Sequence, residues 1–312
     1  MAEQFLRSRQ LERCPNIPGF RTSDTRQVLC NTIDEFAADI VLTRVVAQPP
    51  QFNNVTYITQ EILNPIPVES EKFTFSMWFK ITSLSLNNLD MILATKDLDS
   101  GGGDIKFRVR RRDVAGNNLI QVQGWNNQNN LVFDIDSKLG YTSTVNPGWH
   151  NLLISMDLSQ PKATMYIDDV NALGCINTLV STSNNQAHIA FDSSDAIASE
   201  TTMTWEFGGG QAFLGDPFEG CMTEIWIAPT IFFDFDSFLK RRKFISNGGL
   251  PVNLSTRGGK PLRDTANLTY PFIFLNNLWS SFVEDEGTRS DQLTSDNYIA
   301  IGQLLPCPDS PG

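Results

Sequence analysis

The sequence predicts an all-β fold, a two-sheet antiparallel jelly-roll sandwich with one short helix and an N-terminal arm. Three observations carry this. Short runs alternating apolar and polar residues recur along the chain, which is the period of a half-buried strand. Clusters of Asn, Asp, Gly and Ser punctuate them at the spacing of antiparallel turns. Helix-period segments are scarce, residues 234–246 being the clearest. At 312 residues the chain has room for one large or two ordinary domains, and all-β domains often exceed about 200 residues without dividing.

Residues 1–50 differ from the rest. Arg7, Arg9, Arg13, Arg21, Arg26 and Arg44 make them locally basic relative to the rest of an acidic chain. They read either as an arm that docks on a neighbouring subunit, its arginines pairing acidic surfaces, or as a leader packing on its own domain. The apolar piece at 36–46 fits a strand or a short helix equally, and residues 47–51 read as a linker.

The sandwich is expected over residues 51–254. Residues 55–62 have strand composition. Residues 73–82 form the clearest strand, with Phe73, Phe75, Met77, Phe79 and Ile81 on a buried face and Thr74, Ser76, Trp78, Lys80 and Thr82 on a solvated one. Further strands are expected at 90–96, 105–111, 119–123, 131–135 and 149–157. Residues 162–169 should pair with 149–157 across a short turn. Weaker patterns lie at 187–191, 203–207 and 212–215. Residues 223–229 alternate, with Ile225 and Ile227 opposite Glu224, Trp226 and Ala228.

The helix is expected to follow, with Asp234 or Asp236 as its cap. Phe235, Phe238, Leu239 and Ile245 would form its buried face. Residues 240–243 (Lys-Arg-Arg-Lys) would complement the dipole of its last turns, and Gly248 and Gly249 would stop it. Residues 255–312 read as an irregular extension, with one strand candidate at 270–275.

Charge narrows the function. The net charge of −11 argues against nucleic-acid binding, which calls for a basic surface. No run approaches the roughly 18 apolar residues of a membrane span, so no membrane insertion is expected. The N-terminus lacks the apolar core of a secretory signal, which points to synthesis in a cytoplasm. The cysteines (14, 30, 175, 221 and 307) are odd in number and widely spaced. With two histidines and no Cys-x-x-Cys pair, zinc and haem are poorly supported, and buried free thiols are expected.

The order of elements resembles the laminin-G-like form of the concanavalin A-like lectin sandwich over residues 53–254. The residues that carry this are 73–80 (FTFSMWFK), 149–155 (WHNLLIS), 163–169 (ATMYIDD) and 220–228 (GCMTEIWIA) with the short helix after them. The tail, residues 224–229 (EIWIAP), 241–245 (RRKFI), 249–254 (GLPVNL) and 258–261 (GGKP), is similar to laminin-G-like structural proteins of tailed bacteriophages. That likeness implies a non-enzymatic virion protein, a capsid decoration or a tail or fibre component. It would be a homo-oligomer, fixed to other virion subunits through residues 1–50. The alternative is a carbohydrate-binding or glycan-depolymerising protein for host attachment.

Hydrolase chemistry on this fold would need Glu-x-Asp-x-x-Glu along one strand. Asp134 and Asp136 stand two apart without the following Glu, so no catalytic residue is assigned, and His150 and His188 are taken as structural. Calcium is considered at Asp97, Asp99 and Asp104, whose carboxylates lie on one loop, and also at Asp168 and Asp169. Both sets fit solvated turn acids as well. Trp125, Asn126 and Asn127 have the composition of a sugar-binding loop, an aromatic face beside amides. A turn with one packed Trp fits them too.

Overall fold

The computed structural model describes residues 49–52, 57–63, 69–82, 89–97, 104–114, 117–126, 129–138, 148–179, 189–190, 202–209, 216–229, 231–252, 273–275, 298–301, 305–307 and 310–311. The expected arm at 1–50 and the strand at 212–215 fall outside them, apart from residues 49 and 50.

Two antiparallel sheets stack face to face. The first comprises β1 (Pro50–Phe52), β4 (Lys72–Ile81), β9 (His150–Asp157), β10 (Lys162–Ile167), β11 (Val170–Asn171), β16 (Gly220–Pro229), β17 (Ile273–Leu275) and β19 (Leu305–Pro306). Its order is β11-β10-β9-β4-β16-β1-β19, with β17 also on β16. The second comprises β2 (Tyr57–Leu63), β5 (Leu89–Asp97), β6 (Asp104–Val114), β7 (Asn117–Trp125), β8 (Leu131–Ser137), β12 (Leu173–Leu179), β14 (Thr202–Phe207), β15 (Asp216–Pro217) and β18 (Tyr298–Ile301). Its order is β12-β8-β7-β6-β5-β14-β2-β18, with β15 parallel to β5. A small pair joins β3 (Glu69–Ser70) and β13 (Ile189–Ala190). Helix α1 (Phe238–Arg241) is a single turn.

The sandwich core lies between the sheets. Phe73, Phe75, Met77 and Phe79 of β4 and Leu152, Ile154 and Met156 of β9 face Phe107, Val109, Ile120, Val122, Phe133 and Ile135 of the second sheet. Phe73 sits edge-on to Phe107 at 5.4 Å and stacks on Phe133 at 5.6 Å. Phe133 finds that place because the facing residue is Gly124; a Cβ there would overlap its ring.

Most of the expected solvated face of 73–82 is buried, Thr74 being 0% exposed, Ser76 2% and Trp78 4%, while Lys80 is half-buried and Thr82 exposed as expected. Residues 231–252 cover it. Trp78, Leu153, Tyr166, Trp226, Phe233, Phe235, Phe244, Ile245, Val252 and Phe274 form a second apolar layer outside the first sheet. The polar residues on that face are used to hold the cover down. Thr74 Oγ1 donates to Ile231 O (2.8 Å), and Phe233 N donates to Ser155 Oγ (2.9 Å) and Thr74 Oγ1 (3.1 Å). An alternating strand thus reads the same whether its polar side meets water or a hydrogen-bonded lid.

On β16, Ile225 and Ile227 enter the sandwich core while Trp226 and Ala228 enter the outer layer. Glu224 departs from the alternation. The register with β4 slips between Thr223 and Trp226, and Glu224 takes φ 50° in the resulting bulge.

The helix is shorter than its pattern. Ser237 is the cap and makes no side-chain capping bond, whereas Asp234 and Asp236 pair with Lys162 at 2.7 and 3.6 Å. Phe235 is buried, yet Phe238 and Leu239 are exposed. Lys240 and Arg241 stand in the last turn as expected, and Arg241 and Arg242 have a further partner. Both reach the Asp169 carboxylate, and Arg242 Nη1 donates to the carbonyls of Ile245 and Ser246 at 3.0 Å. Asp169 is held at the tight β10–β11 turn, where Asp168 and Asp169 have φ 52° and 65°, the pair of left-handed residues a two-residue hairpin needs.

Strand β17 falls on the strand candidate at 270–275, whereas β18 and β19 fall in the segment expected to be irregular; the three pair with β16, β2 and β1. Strand β1 overlaps the expected linker. The thiol expectation is corrected for two cysteines: Cys221 and Cys307 form a disulfide, with Cα atoms 6.1 Å apart. Cys221 lies opposite Gln51 of β1, and Cys307 N donates to Pro49 O (2.8 Å). The strand next to β16 therefore brings the C-terminus to it. Cys175 remains free and is exposed, not buried.

Candidate functional site

With the outer face of the first sheet covered, the outer face of the second at β6, β7, β8 and β12 presents a set of half-buried polar side chains. Pleating places it there. Phe107 and Val109 point into the core, so Arg108, Arg110 and Arg112 point out. On β7, Ile120 and Val122 go in while Gln121, Gln123 and Trp125 face out, and on β8 Asp134 and Asp136 do the same. Backbone register aligns them in two rows, Arg108–Gln123–Asp134 and Arg110–Gln121–Asp136.

Hydrogen bonds tie the rows. Arg108 Nε donates to Gln123 Oε1 (2.6 Å), and Arg110 Nε donates to Gln121 Oε1 (2.8 Å). Gln121 Nε2 then donates to Asp134 Oδ1 (2.8 Å), and Asn177 Nδ2 of β12 donates to Asp136 Oδ2 (2.8 Å). Arg112 Nη1 lies 4.0 Å from Asp136 Oδ1. The glutamines are buried, Gln121 at 1% and Gln123 at 7% exposure, and form a floor between guanidinium groups on one side and carboxylates on the other. The Arg108 guanidinium lies over the Trp125 ring, 5.1 Å from its centroid. Burial, then the neighbouring Arg110, pull the Arg108 pKa down to about 10, with Asp134 opposing. Burial and Arg112 lower that of Arg110 in the same way. Among the described residues the terminal Nη groups of Arg108 and Arg110 make no hydrogen bond.

Trp125 closes β7 half-exposed at the rim of this face. Asn126 is buried and shapes the following turn: its N donates to Asn130 O, and its Oδ1 accepts from Asn130 N (2.9 Å). Lys106 reaches the same turn through Asn129 Oδ1. Asn127 lies outside the described residues. The calcium candidates Asp97 and Asp104 face one another in the β5–β6 register. Their side chains, and all of Asp99, lie outside the described residues. Among the described residues no group of three or more His, Cys, Asp and Glu is placed to hold a metal ion. Asp168 and Asp169 are committed elsewhere. Asp168 Oδ2 pairs with His150 Nδ1 (2.7 Å) and its Oδ1 accepts from Asn151 N (2.8 Å), while Asp169 binds Arg241 and Arg242. His150 is buried against Phe79. His188 lies outside the described residues.

Sequence reasoning found Trp125 and read the alternation of β6 but gave Arg108, Arg110, Gln121 and Gln123 no role. A signal for them exists: basic residues at alternate positions in an acidic chain, followed by two glutamines at alternate positions, 121 and 123.

No protein-family model matches the sequence, and no curated protein matches it. Solved structures of similar architecture include the heptameric SAP-like pentraxin of Limulus polyphemus, at 10% identity and a TM-score of 0.42, aligned over 62% of this chain and 81% of that one. A Bacteroides ovatus protein described as carbohydrate binding aligns at 12% identity and a TM-score of 0.45, over 86% of this chain and 62% of that one. The enzymatically active domain of tailspike protein 2 from bacteriophage CBA120 aligns at 11% identity and a TM-score of 0.36, over 58% of this chain and 25% of that one. Identities this low concern the sandwich fold and not the chemistry on its faces.

Proposed function

We propose that this chain is a non-catalytic glycan-binding sandwich whose binding face is the outer surface of β6, β7 and β8. One observation carries the reading: a half-exposed Trp125 ring stands beside Arg108, with Arg110 next along the same face, and the Nη groups of both arginines make no hydrogen bond among the described residues, on a sheet floored by hydrogen-bonded amides. An aromatic surface with convergent polar donors suits a sugar, which has apolar C–H faces and a rim of hydroxyls. Asp134 and Asp136 accept hydrogen bonds from Gln121 and Asn177. That engages them in holding the face, which fits binding rather than proton transfer.

The setting we propose is a bacteriophage particle, on the motif order of residues 220–261, with residues 1–50 meeting other virion subunits in a homo-oligomer. The face would then meet a host surface. The direct test is a polysaccharide binding screen with wild type and Trp125→Ala. Binding by wild type that weakens at least tenfold in the variant is expected. A wild type that binds no glycan, or a variant that binds equally well, overturns the reading.

A further inference from the structure

We propose, resting on the glycan-binding reading above, that the ligand is an acidic glycan whose carboxylate or sulfate group is held by the open edges of the Arg108 and Arg110 guanidinium groups. The chain carries a net charge of −11, yet three arginines stand on alternate residues of one strand. Consecutive members are about 6.8 Å apart by strand rise, close enough to repel when half-buried. Burial compounds the repulsion for Arg108 and Arg110.

Asp134, and for Arg110 also Asp136, offset this only from across the glutamines, not through a direct ion pair as the fold provides elsewhere. Arg241 and Arg242 each receive an Asp169 oxygen, and Arg112 approaches Asp136. Arg108 and Arg110 receive only the neutral Gln123 and Gln121 oxygens, each on Nε. No carboxylate pairs with either among the described residues. A neutral residue at 108 or 110 would suit folding at least as well, and rule-breaking of this kind concentrates at functional sites.

The geometry defines what would complete the pair. Fixing Nε on a glutamine orients each guanidinium plane and leaves the Nη edge without a partner among the described residues, the fork that takes two oxygens of one oxyanion. The Arg108 guanidinium lies over the Trp125 ring, 5.1 Å from its centroid, which puts an aromatic surface next to the proposed anion site. Asp134 and Asp136 sit across the glutamine floor, where they accept sugar hydroxyls and repel a second closely spaced anion. That separation, with the overall negative charge, disfavours the dense phosphates of a nucleic acid.

The test uses the full chain and titration calorimetry. The probes are polygalacturonate and its carboxyl-reduced form, heparin and its desulfated form, neutral dextran, and a thymidine oligonucleotide. The proposal expects an acidic polymer to bind, and its affinity to fall at least tenfold on carboxyl reduction or desulfation; which treatment acts identifies the anion. Arg108→Gln/Arg110→Gln should lose acidic-polymer binding at least tenfold while its melting midpoint stays at or above that of wild type. Binding to dextran alone overturns the acidic ligand and leaves the glycan reading standing. Equal binding of the reduced or desulfated polymer, full binding by the double variant, or tighter binding of the oligonucleotide overturns the proposal. No binding to any glycan overturns both readings.

Discussion

Phe244→Ala tests whether the covering layer belongs to the cooperative fold. Phe244 is 1% exposed. Its ring meets Trp226 at 5.3 Å, Phe235 at 5.6 Å and Phe233 at 6.3 Å, each near edge-to-face. Truncating a buried Phe to Ala costs about 3–5 kcal/mol through lost transfer energy and the cavity left behind. Aromatic pairs add about 0.5–1.5 kcal/mol each beyond area, so the upper part of that range is expected. In urea, with a slope near 3 kcal/mol/M, the midpoint should fall by about 1–1.7 M at unchanged slope. Tryptophan fluorescence reports it, since Trp226 lies against the deleted ring. A loss below about 1 kcal/mol would refute the reasoning, because residues 231–252 would then be a dispensable flap.

Three further outcomes follow from the packing. Cys221→Ser/Cys307→Ser, or reduction of wild type, should lower stability, by up to about 4–5 kcal/mol in the loop-entropy account for a cross-link spanning 86 residues; an unchanged chemical-denaturation midpoint would contradict it. Gly124→Ala should destabilise by about 1–3 kcal/mol, as overpacking does, because its Cβ overlaps Phe133, and an equal melting temperature would count against that packing. Burial and a hydrogen bond to Asp236 raise the Tyr166 pKa above its ordinary 10.0. The folded state thus holds this proton more tightly, so the stability it lends is full below pH 10 and is lost as pH rises through the folded value. Alkaline titration by ultraviolet absorbance should show one phenol ionising late, absent in Tyr166→Phe.

Much of the sandwich was legible because core strands carry their own pattern. Residues 73–82 announced their inner face correctly, and so did Ile225 and Ile227. What misled was the outer face. Thr74 reads as solvent-facing, but together with Ser155 it binds a segment some 80–160 residues away, and period alone cannot see a lid. Strands β1, β18 and β19 are four residues or shorter, and short strands take their state from a partner. The disulfide was hidden for the same reason, since Cys221 and Cys307 meet only once β1 lies between their strands. The helix pattern over 234–246 lost to tertiary pairing, because Asp234, Asp236, Arg241 and Arg242 are drawn to Lys162, Tyr166 and Asp169. At the candidate site Trp125 stood out as an aromatic in an Asn-rich turn. That no described residue bonds the Nη groups of Arg108 and Arg110 is a matter of what their neighbours bind, which sequence order does not report.

The most direct measurement is the indole N–H spectrum of 15N-labelled protein titrated with the glycan that binds. The chain has six tryptophans, and Trp125→Phe assigns the resonance at the site. Binding at β6 to β8 predicts a saturable shift of the Trp125 indole, with those of the buried Trp205 and Trp226 unmoved. Saturable binding that leaves Trp125 in place and shifts another indole would put the ligand elsewhere and contradict the account.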